Sequence, residues 1–192
     1  MIRAEGLSRN YGPLRAVDDI SFTVRPGEVL GFLGPNGAGK TTTMRMLAGF
    51  VPASAGYAEI CGFRIDSQPL EAKRLLGYLP EGAPSYGEMA PGEFLQFIGR
   101  IRGLSGAALR SRIDEVCARL QLGPVLKQPI ETLSKGFRRR VGLAQTILHD
   151  PPVLILDEPT DGLDPNQKHE VRELINAMAA RKIIVISTHI LE

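Results

Sequence analysis

The stretch GPNGAGKT, at positions 34–41, constrains the fold of this chain more than any other. It has the form GxxxxGK[ST] and lies between a short apolar run at 29–33 and a helix-forming segment that ends at Gly49. A strand, a glycine-rich loop and a helix in this order are typical of a phosphate-binding loop. Glycines let several backbone N–H groups wrap closely around phosphate oxygens. The sequence therefore predicts an α/β fold built around a nucleotide site.

Two side chains of this loop have chemistry of their own. Lys40 provides a fixed cation for the β and γ phosphates, and Thr41 offers a hydroxyl to Mg²⁺. The partial positive charge at the start of the following helix also favours an anion. The alternative is a glycine-rich turn with a surface lysine, and the flanking strand and helix argue against it.

Composition limits the class of protein. The 192 residues are 43% hydrophobic, enough for one packed core, and the net charge of +2 gives no field that would attract nucleic acid. Cys61 and Cys117 fit neither a zinc site nor a disulfide framework, so we expect a reducing cytoplasm. No apolar run approaches the roughly 20 residues of a membrane span, and the N-terminus does not resemble a signal peptide. Any membrane role is expected to come through a partner.

Hydrophobic periodicity predicts an α/β core with a helical insertion. Strands are expected at 1–7, 20–24, 57–61 and 75–80. Three helices are expected in the insertion, the first after Pro91, and its stripe of Phe94, Phe97, Ile98 and Ile101 is predicted to be core. We expect one domain over 1–192, with 1–80 and 151–192 as the α/β core and 81–150 as a helical subdomain.

Two carboxylates follow a predicted buried strand. Residues 152–156, PVLIL, form an apolar run typical of a parallel strand covered on both faces, and Asp157 and Glu158 come directly after it. Ligands of open α/β sheets bind at this carboxyl edge. We expect Asp157 to hold Mg²⁺ through water and Glu158 to polarise the attacking water of nucleotide hydrolysis. The alternative is a strand that simply ends in solvated acids.

Three further positions are candidates. A strand at 183–186 delivers His189 to the same edge, where a neutral imidazole could bond a γ-phosphate oxygen, although a lone histidine is more often structural. Asp164 is predicted to cap the helix that begins at Pro165. Tyr11, in a predicted turn, either stacks on an adenine ring or covers a hydrophobic edge, and the sequence leaves both possibilities open.

Taken together, these motifs resemble those of the ATP-binding subunit of an ABC transporter, over essentially the whole chain. LSKGF at 133–137 stands where that family has its signature, 159–164 resembles its D-loop, His189 its switch histidine and Tyr11 its adenine-stacking aromatic. The variants LSKG and GYLPE resemble the exporter branch that handles drugs, lipids, polysaccharides or gliding-motility components. The resemblance implies a P-loop NTPase core with a mostly parallel sheet, an N-terminal antiparallel β subdomain and an inserted α-helical subdomain.

The resemblance implies ATP and Mg²⁺ as cofactors. The residues implied to bind the nucleotide are Tyr11, Gly34, Pro35, Asn36, Gly37, Ala38, Gly39, Lys40, Thr41 and Thr42. The implied metal ligands are Thr41, Glu81 and Asp157, and the implied catalytic residues are Glu158 and His189. The signature residues Ser134, Lys135 and Gly136 are implied to contact ATP bound to a second subunit, and the matching D-loop residues are Asp161 and Asp164.

Two positions depart from the family pattern. Glu81 stands where the family usually has a glutamine. A carboxylate remains a good ligand for a hard cation but adds negative charge beside Asp157 and Glu158, so we predict a stronger dependence on Mg²⁺. In the signature Gly136 is retained, whereas Lys135 replaces a glycine and either adds a cation near the γ-phosphate or faces solvent. The chain also ends just past the switch histidine, so a C-terminal truncation is expected.

The resemblance implies two partners. One is a second ATP-binding subunit, in a head-to-tail homodimer, and the other is a polytopic membrane permease that contacts a groove near residues 81–102. Met89 and Phe94 are either exposed apolar residues of this groove or part of the core, and the sequence leaves both possibilities open. The chain would be cytoplasmic and peripheral on the inner face of the cell membrane. The run at 138–140, RRR, is expected to be a solvated helix face rather than a partner of acidic groups or lipid headgroups.

Two other functions compete with this one. A soluble ABC-type ATPase acting on ribosomes or DNA would usually carry paired domains in one chain or long coiled coils between its motifs, and neither feature is present. An unrelated phosphate-loop kinase would need an acceptor site and would leave the LSKGF stretch unexplained. The sequence does not identify the transported substrate.

Overall fold

The computed structural model describes residues 1–83 and 85–189, which form two four-stranded sheets and six α-helices. Positions 190–192, after which the truncation is expected, lie outside the described residues. The strands are β1 (Ile2–Tyr11), β2 (Leu14–Val24), β3 (Val29–Leu33), β4 (Ala55–Ile60), β5 (Phe63–Arg64), β6 (Leu76–Leu79), β7 (Val153–Asp157) and β8 (Ile183–Thr188). The helices are α1 (Lys40–Leu47), α2 (Pro69–Arg74), α3 (Pro91–Ile101), α4 (Gly106–Arg119), α5 (Lys135–Ile147) and α6 (Pro165–Ala179).

The first sheet is antiparallel, in the order β2-β1-β4-β5. β1 and β2 are both longer than predicted and meet in a hairpin whose turn is formed by Gly12 and Pro13. Tyr11 pairs with Leu14 in this hairpin, so it ends a strand instead of lying in the turn. The pairing gives the tyrosine a fixed backbone position at the edge of the molecule.

The second sheet is parallel, in the order β3-β8-β7-β6. Every residue of β7 is buried, as predicted for a strand covered on both faces. Alternate residues of β7 belong to two hydrophobic clusters, because successive side chains of a strand point to opposite faces. Leu154 and Leu156 pack with α5 and α6, whereas Val153 and Ile155 pack with α1. This arrangement confirms the predicted parallel core and fixes the carboxyl edge at which β7 and β8 end.

The helices α3, α4 and α5 pack against one another, but the predicted stripe of α3 is only partly core. Phe94 is buried, whereas Phe97 is 39% exposed and Ile101 is 65% exposed. The reason is Gly99, where an added Cβ would lie 2.2 Å from Leu109 Cδ1 of α4. This close approach turns the other side of α3 outward. Among the helices of the described residues, none is both long enough and apolar enough to cross a bilayer.

The expectation of a solvated arginine face at 138–140 is wrong for two of the three residues. Arg138 is exposed, but Arg139 and Arg140 are only 4% and 7% exposed. The Nη2 atom of Arg140 lies 2.8 Å from Glu170 Oε2, so this arginine pairs with an acid of α6. The stems of both side chains pack inside the protein, and sequence periodicity gives no sign of this burial.

Candidate nucleotide site

The glycine-rich stretch forms a tight loop between β3 and α1. Gly37 and Gly39 adopt left-handed conformations with φ of 85° and 86°, which side chains disfavour. A Cβ on Gly39 would also lie 2.3 Å from the carbonyl oxygen of Ala16. Both the backbone and the neighbouring strand therefore require glycine at position 39, which is the residue that caps α1.

Lys40 is buried within this loop. Its Nζ atom donates to the carbonyl oxygens of Gly34 at 2.6 Å and Pro35 at 3.0 Å. The ammonium therefore holds the loop closed around itself. Lys40 lines the same cleft as Asn36, Gly37 and Thr41. A cation surrounded by loop backbone is an arrangement suited to a phosphate group.

Asp157 lies at the end of β7 and is fully buried. Its Oδ1 atom accepts from Ser187 Oγ at 2.5 Å and from Thr41 Oγ1 at 3.3 Å. Its Oδ2 atom has no hydrogen-bond partner among the described residues. A buried carboxylate oxygen without a donor fits a hard cation, and Thr41 and Asp157 are the kind of ligands that Mg²⁺ takes.

The remaining metal ligands must come from elsewhere. Within residues 1–83 and 85–189, no group of three or more histidine, cysteine or acidic side chains is placed to hold a metal ion. Mg²⁺ commonly binds through one or two protein groups together with substrate phosphates and water. The residues present therefore fit a cation that arrives with a nucleotide.

Glu158 is held in a strained backbone conformation beside Asp157. Its φ is 51°, in the left-handed region that non-glycine residues rarely occupy. Its N–H donates to Ser187 Oγ at 2.9 Å, and its Oε2 atom lies 3.0 Å from His189 Nδ1. The side chain of Glu158 is thus oriented by the end of β8, the neighbouring strand.

Ser187 was missed as a site residue by the sequence analysis. It is fully buried, and one hydroxyl contacts both Asp157 and the N–H of Glu158. The available signal was its place at the carboxyl end of a core strand, directly opposite Asp157 in the register of β7 and β8. The side chain supplies no charge but fixes both acids.

A cleft of about 600 Å³ brings most of the predicted residues together. The predicted residues that line it are Tyr11, Asn36, Gly37, Gly39, Lys40, Thr41, Thr42, Glu81, Glu158, Asp161 and His189. Gly34, Pro35, Ala38 and Asp157 do not line it. The first two of these bind Lys40 through their carbonyls, and Asp157 lies beneath the cleft surface, bonded to Thr41. The sites predicted from separate motifs therefore converge on one volume.

Tyr11 lies at one edge of this cleft and is 43% exposed. The guanidinium carbon of Arg9 lies 4.6 Å from the centroid of its ring, so one face of the ring already carries a cation. An exposed ring beside the phosphate loop has the position that a base-stacking residue needs. The exposure argues against the alternative that Tyr11 merely covers a hydrophobic edge.

The signature residues lie apart from the cleft. Ser134 caps α5, with its Oγ atom accepting from the N–H of Phe137 at 3.3 Å, and Lys135 is exposed. A Cβ on Gly136 would lie 2.5 Å from Gln167 Oε1, so the start of α5 packs closely on α6. None of the three signature residues lines the cleft of its own chain. Any contact they make with a nucleotide therefore has to involve a nucleotide bound elsewhere.

The D-loop connects β7 to α6. Asp164 accepts from the N–H of Gln167 at 2.9 Å and so caps α6, as predicted, with Pro165 in the first turn. Asp161 is exposed and lines the cleft. The D-loop therefore lies between the signature and the cleft, because Gly162 approaches Lys135.

The buried Arg139 and the half-buried Tyr78, both near the site, have shifted pKa values. Burial lowers the pKa of the Arg139 guanidinium from its usual range, although Asp161, Asp157, Glu158 and Glu81 oppose the shift. Burial and the nearby Asp157 raise the pKa of Tyr78 to about 12. The phenol of Tyr78 is therefore neutral at physiological pH, and it adds no charge beside Asp157.

Comparison with known proteins gives consistent matches. A family model described as "ABC transporter" matches residues 17–161. The chain is 39% identical over 193 residues to "Nod factor export ATP-binding protein I" of Ralstonia nicotianae (strain ATCC BAA-1114 / GMI1000), a match covering 100% of this chain and 60% of that protein. It therefore spans about three-fifths of the length of this relative.

Two solved structures have the same fold. One, described as "Structure of ATP binding subunit of ABC transporter", matches with a TM-score of 0.90 and 32% identity, over 99% of this chain and 80% of that chain. The other is an ATP-binding cassette in a dimeric, post-hydrolysis state bound to ADP and Pi. It matches with a TM-score of 0.90 and 20% identity, over 99% of this chain and 88% of that chain.

Proposed function

The chain belongs to the ABC transporter family as an ATP-binding domain, and from that premise we propose that it binds and hydrolyses Mg-ATP to drive export through a separate membrane subunit. The observation that carries the proposal is the convergence of the phosphate loop, Glu158 and His189 on one cleft. Each of these elements has a role in phosphoryl transfer, where catalysis is mostly positioning and electrostatic stabilisation.

ATP binding would use the loop and the edge of the cleft. Tyr11 would stack on the adenine, and the loop N–H groups with Lys40 would hold the phosphates. Thr41 and Asp157 would hold Mg²⁺, Asp157 through water, with Glu81 as a further ligand. The cation, when bound, would neutralise charge that develops on the phosphate oxygens.

Hydrolysis would depend on Glu158 and His189. The carboxylate of Glu158 would orient the attacking water and accept its proton, because its peptide and side chain are held from both sides at the edge of the cleft. His189 would contact a γ-phosphate oxygen while keeping Glu158 in place. Substituting either residue would then change the rate of hydrolysis more than the affinity for ATP.

A second copy would complete the site. Ser134, Lys135 and Gly136 lie away from the cleft of their own chain, at the start of a helix where N–H groups can bind an anion. Ser134 and Lys135 are exposed there, and Gly136 is buried. In a head-to-tail dimer they would face the γ-phosphate held by the partner. ATP would favour the closed dimer because it binds that state more tightly than the open state. Hydrolysis removes ATP and would therefore favour the open state.

The membrane partner would bind a groove between the core and α3. This groove, about 440 Å³, is lined by the exposed apolar side chains of Phe50 and Ile101, together with Tyr78, Pro80 and Arg102. Exposed aromatic and aliphatic side chains in a groove are typical of a protein interface. Pro80 directly precedes Glu81, so the groove adjoins the cleft. The chain would be peripheral on the inner face of the cell membrane.

Export is the favoured direction of transport because the Ralstonia relative is named for export of Nod factor. Neither the fold nor the relative gives an observation in favour of action on ribosomes or DNA.

Co-purification tests the proposal. The tagged chain, expressed in its own cell and gently solubilised with the membranes, is expected to bring down a polytopic membrane protein in stoichiometric amount. Phe50→Asp should lose that protein yet still bind ATP, because Phe50 lines the groove and not the cleft. Recovery with ribosomes or nucleic acid, and no membrane protein, would contradict the transporter function.

A further inference from the structure

Arg139, a buried cation near the nucleotide cleft, has no role in the reaction described so far. It lies near the start of α5 and is almost fully buried. Its guanidinium donates to four backbone carbonyls. The acceptors are Pro80 O, 3.0 Å from Nη1, Pro159 O, 3.3 Å from Nε, and the carbonyl oxygens of Asp157 and Glu158, both bonded to Nη2.

This arrangement is unusual for a buried arginine, which normally pairs with a carboxylate. Over the described residues, no carboxylate lies within ion-pair distance of Arg139, and all of its bonds go to main-chain oxygens. The fork of donors therefore holds peptide groups in place instead of neutralising an acid. Three of the four carbonyls belong to consecutive residues, 157–159.

The consequence for Glu158 is a backbone held from both sides. Its N–H is bonded to Ser187 and its carbonyl to Arg139. Because its φ of 51° is an uncommon conformation, the peptide needs such support to persist. The direction of the Glu158 carboxylate follows from this backbone conformation.

The fourth carbonyl extends the same support to another site residue. Pro80 directly precedes Glu81, which lines the nucleotide cleft with Glu158. One guanidinium thus ties together the two backbone segments that carry these acids. It also ties both to α5, the helix that the signature residue Ser134 caps.

We infer that Arg139 is a positioning residue for ATP hydrolysis, which holds Glu158 and Glu81 in place and links them to the signature helix. The inference rests on the proposed function, because it requires Glu158 to act on the attacking water. Arg139 sets the turnover rate and not the affinity for ATP, because it does not line the cleft. A movement of α5 changes the position of the catalytic acid through this one side chain.

The matched control is Arg140, the next residue of α5. It is nearly as buried, but its guanidinium bonds Glu170 at 2.8 Å, the side chain of Gln121 at 3.2 Å and the carbonyl of Leu120 at 3.4 Å. None of these residues lines the nucleotide cleft. Replacing Arg140 therefore removes a buried arginine from the same helix without touching the segments around Glu158.

The experiment measures kcat, KM and thermal unfolding for Arg139→Met, Arg139→Lys and Arg140→Met. Arg139→Met should lower kcat about tenfold or more, as expected when a catalytic group is displaced by about an ångström, with KM for ATP within about twofold. Arg139→Lys keeps the charge but not the fork, so its kcat should be intermediate. Arg140→Met should lower the unfolding temperature and keep kcat.

A kcat of Arg139→Met within twofold of the unmodified chain, or an equal loss in Arg140→Met, would overturn the inference. If Arg139→Met does not fold, Arg139→Lys is judged by the same criterion. If neither folds, Arg139 is structural and the inference is wrong.

Lys40→Ala separates the two proposals. If Lys40→Ala still binds ATP normally, the proposed function is wrong. If Lys40→Ala loses ATP binding while the Arg139 variants keep normal turnover, only this inference is wrong.

Discussion

The Nδ1 atom of His189 lies 3.0 Å from Oε2 of Glu158, although 31 positions separate the two residues in the chain. The contact exists because β7 and β8 are neighbours in the parallel sheet and end at the same edge, with Asp157 opposite Ser187. Glu158 is thus oriented by a strand that follows α6.

Glu81 is expected to make activity unusually dependent on Mg²⁺. Its carboxylate adds negative charge to a cleft that already holds Glu158, and a bound cation offsets that repulsion. Because this charge also attracts the cation, Glu81→Gln should weaken Mg²⁺ binding and shift the Mg²⁺ titration of ATPase activity to higher concentrations. Glu88→Gln, at an exposed position outside the cleft, is the control and should leave the titration unchanged. An unshifted curve for Glu81→Gln would refute the prediction.

Tyr11 is expected to contribute stacking energy to ATP binding. Tyr11→Ala should raise the Kd for ATP about tenfold, because a base stacked on an aromatic ring gains on the order of 1–3 kcal/mol. Tyr11→Trp should retain the affinity. Tyr86→Ala removes another exposed tyrosine that does not line the cleft, and a fluorescent ATP analogue should bind this control normally. Equal affinities for Tyr11→Ala and the control would exclude the stacking role.

Gly136 is expected to be required for turnover more than for stability. An added Cβ would meet the end of the Gln167 side chain, which can move, so Gly136→Ala should fold. It should lower ATPase activity because the methyl group displaces the Gln167 side chain at the start of α5, where the partner's nucleotide would approach the signature backbone. ATP binding by the single chain should not change. If ATPase assays find full turnover in this variant, the signature has no role in the reaction.

Gly77→Ala is the contrasting variant. A Cβ there would lie 2.3 Å from the backbone oxygen of Thr146, which cannot easily move, so the substitution should lower the unfolding temperature. Comparing the two glycines separates a functional requirement from a packing requirement. The same loss of stability in both variants would remove the distinction.

The sequence predicted the elements of this fold well where periodicity and motif agree. The uninterrupted apolar residues before Asp157, and the cap and proline at the start of α6, correctly located β7 and that helix. The carboxyl ends of parallel strands lie at one edge of a sheet, so the residues that follow β7 and β8 could be predicted to lie close together. That property located Glu158 and His189, whereas the cleft residues of 36–42 came from the phosphate-loop motif and Glu81 and Asp161 from the resemblance to the family.

Tertiary contacts account for what the sequence did not predict. Arg139 bonds carbonyls of residues 157–159 and Pro80, and no local pattern marks an arginine for that position. Phe97 faces outward because Gly99 brings α3 close to α4, a constraint set by the neighbouring helix. Ser187 acquires its role only when β8 is placed beside β7. These residues depend on the arrangement of elements and not on the composition of any one of them.

His149 is expected to make stability depend on pH. Burial, with help from Arg102, lowers the pKa of its imidazole from 6.5 to about 4, and its Nε2 atom lies 3.3 Å from the carbonyl of Leu76. The unfolded chain therefore binds more protons between these values, so stability is complete above pH 6.5 and falls as pH drops toward 4.

The effect of His149 can be isolated by substitution. His149→Gln, which can keep the bond to Leu76, should flatten the pH dependence of the free energy of unfolding across this window. The flattening should be at most about 1.4 kcal/mol per pH unit, the value for one proton. Urea unfolding at several pH values measures it. An unchanged slope would show that His149 is not the titrating group.

Sedimentation of Glu158→Gln with and without ATP is the most direct test of the proposal that two copies close around ATP. The substitution should slow hydrolysis by about 100-fold or more while leaving the phosphate loop intact, so the closed state should persist. We expect a monomer without nucleotide and a dimer with Mg-ATP, and a monomer in both conditions when Lys40→Ala is added. A chain that binds ATP at saturation yet stays monomeric would contradict the account.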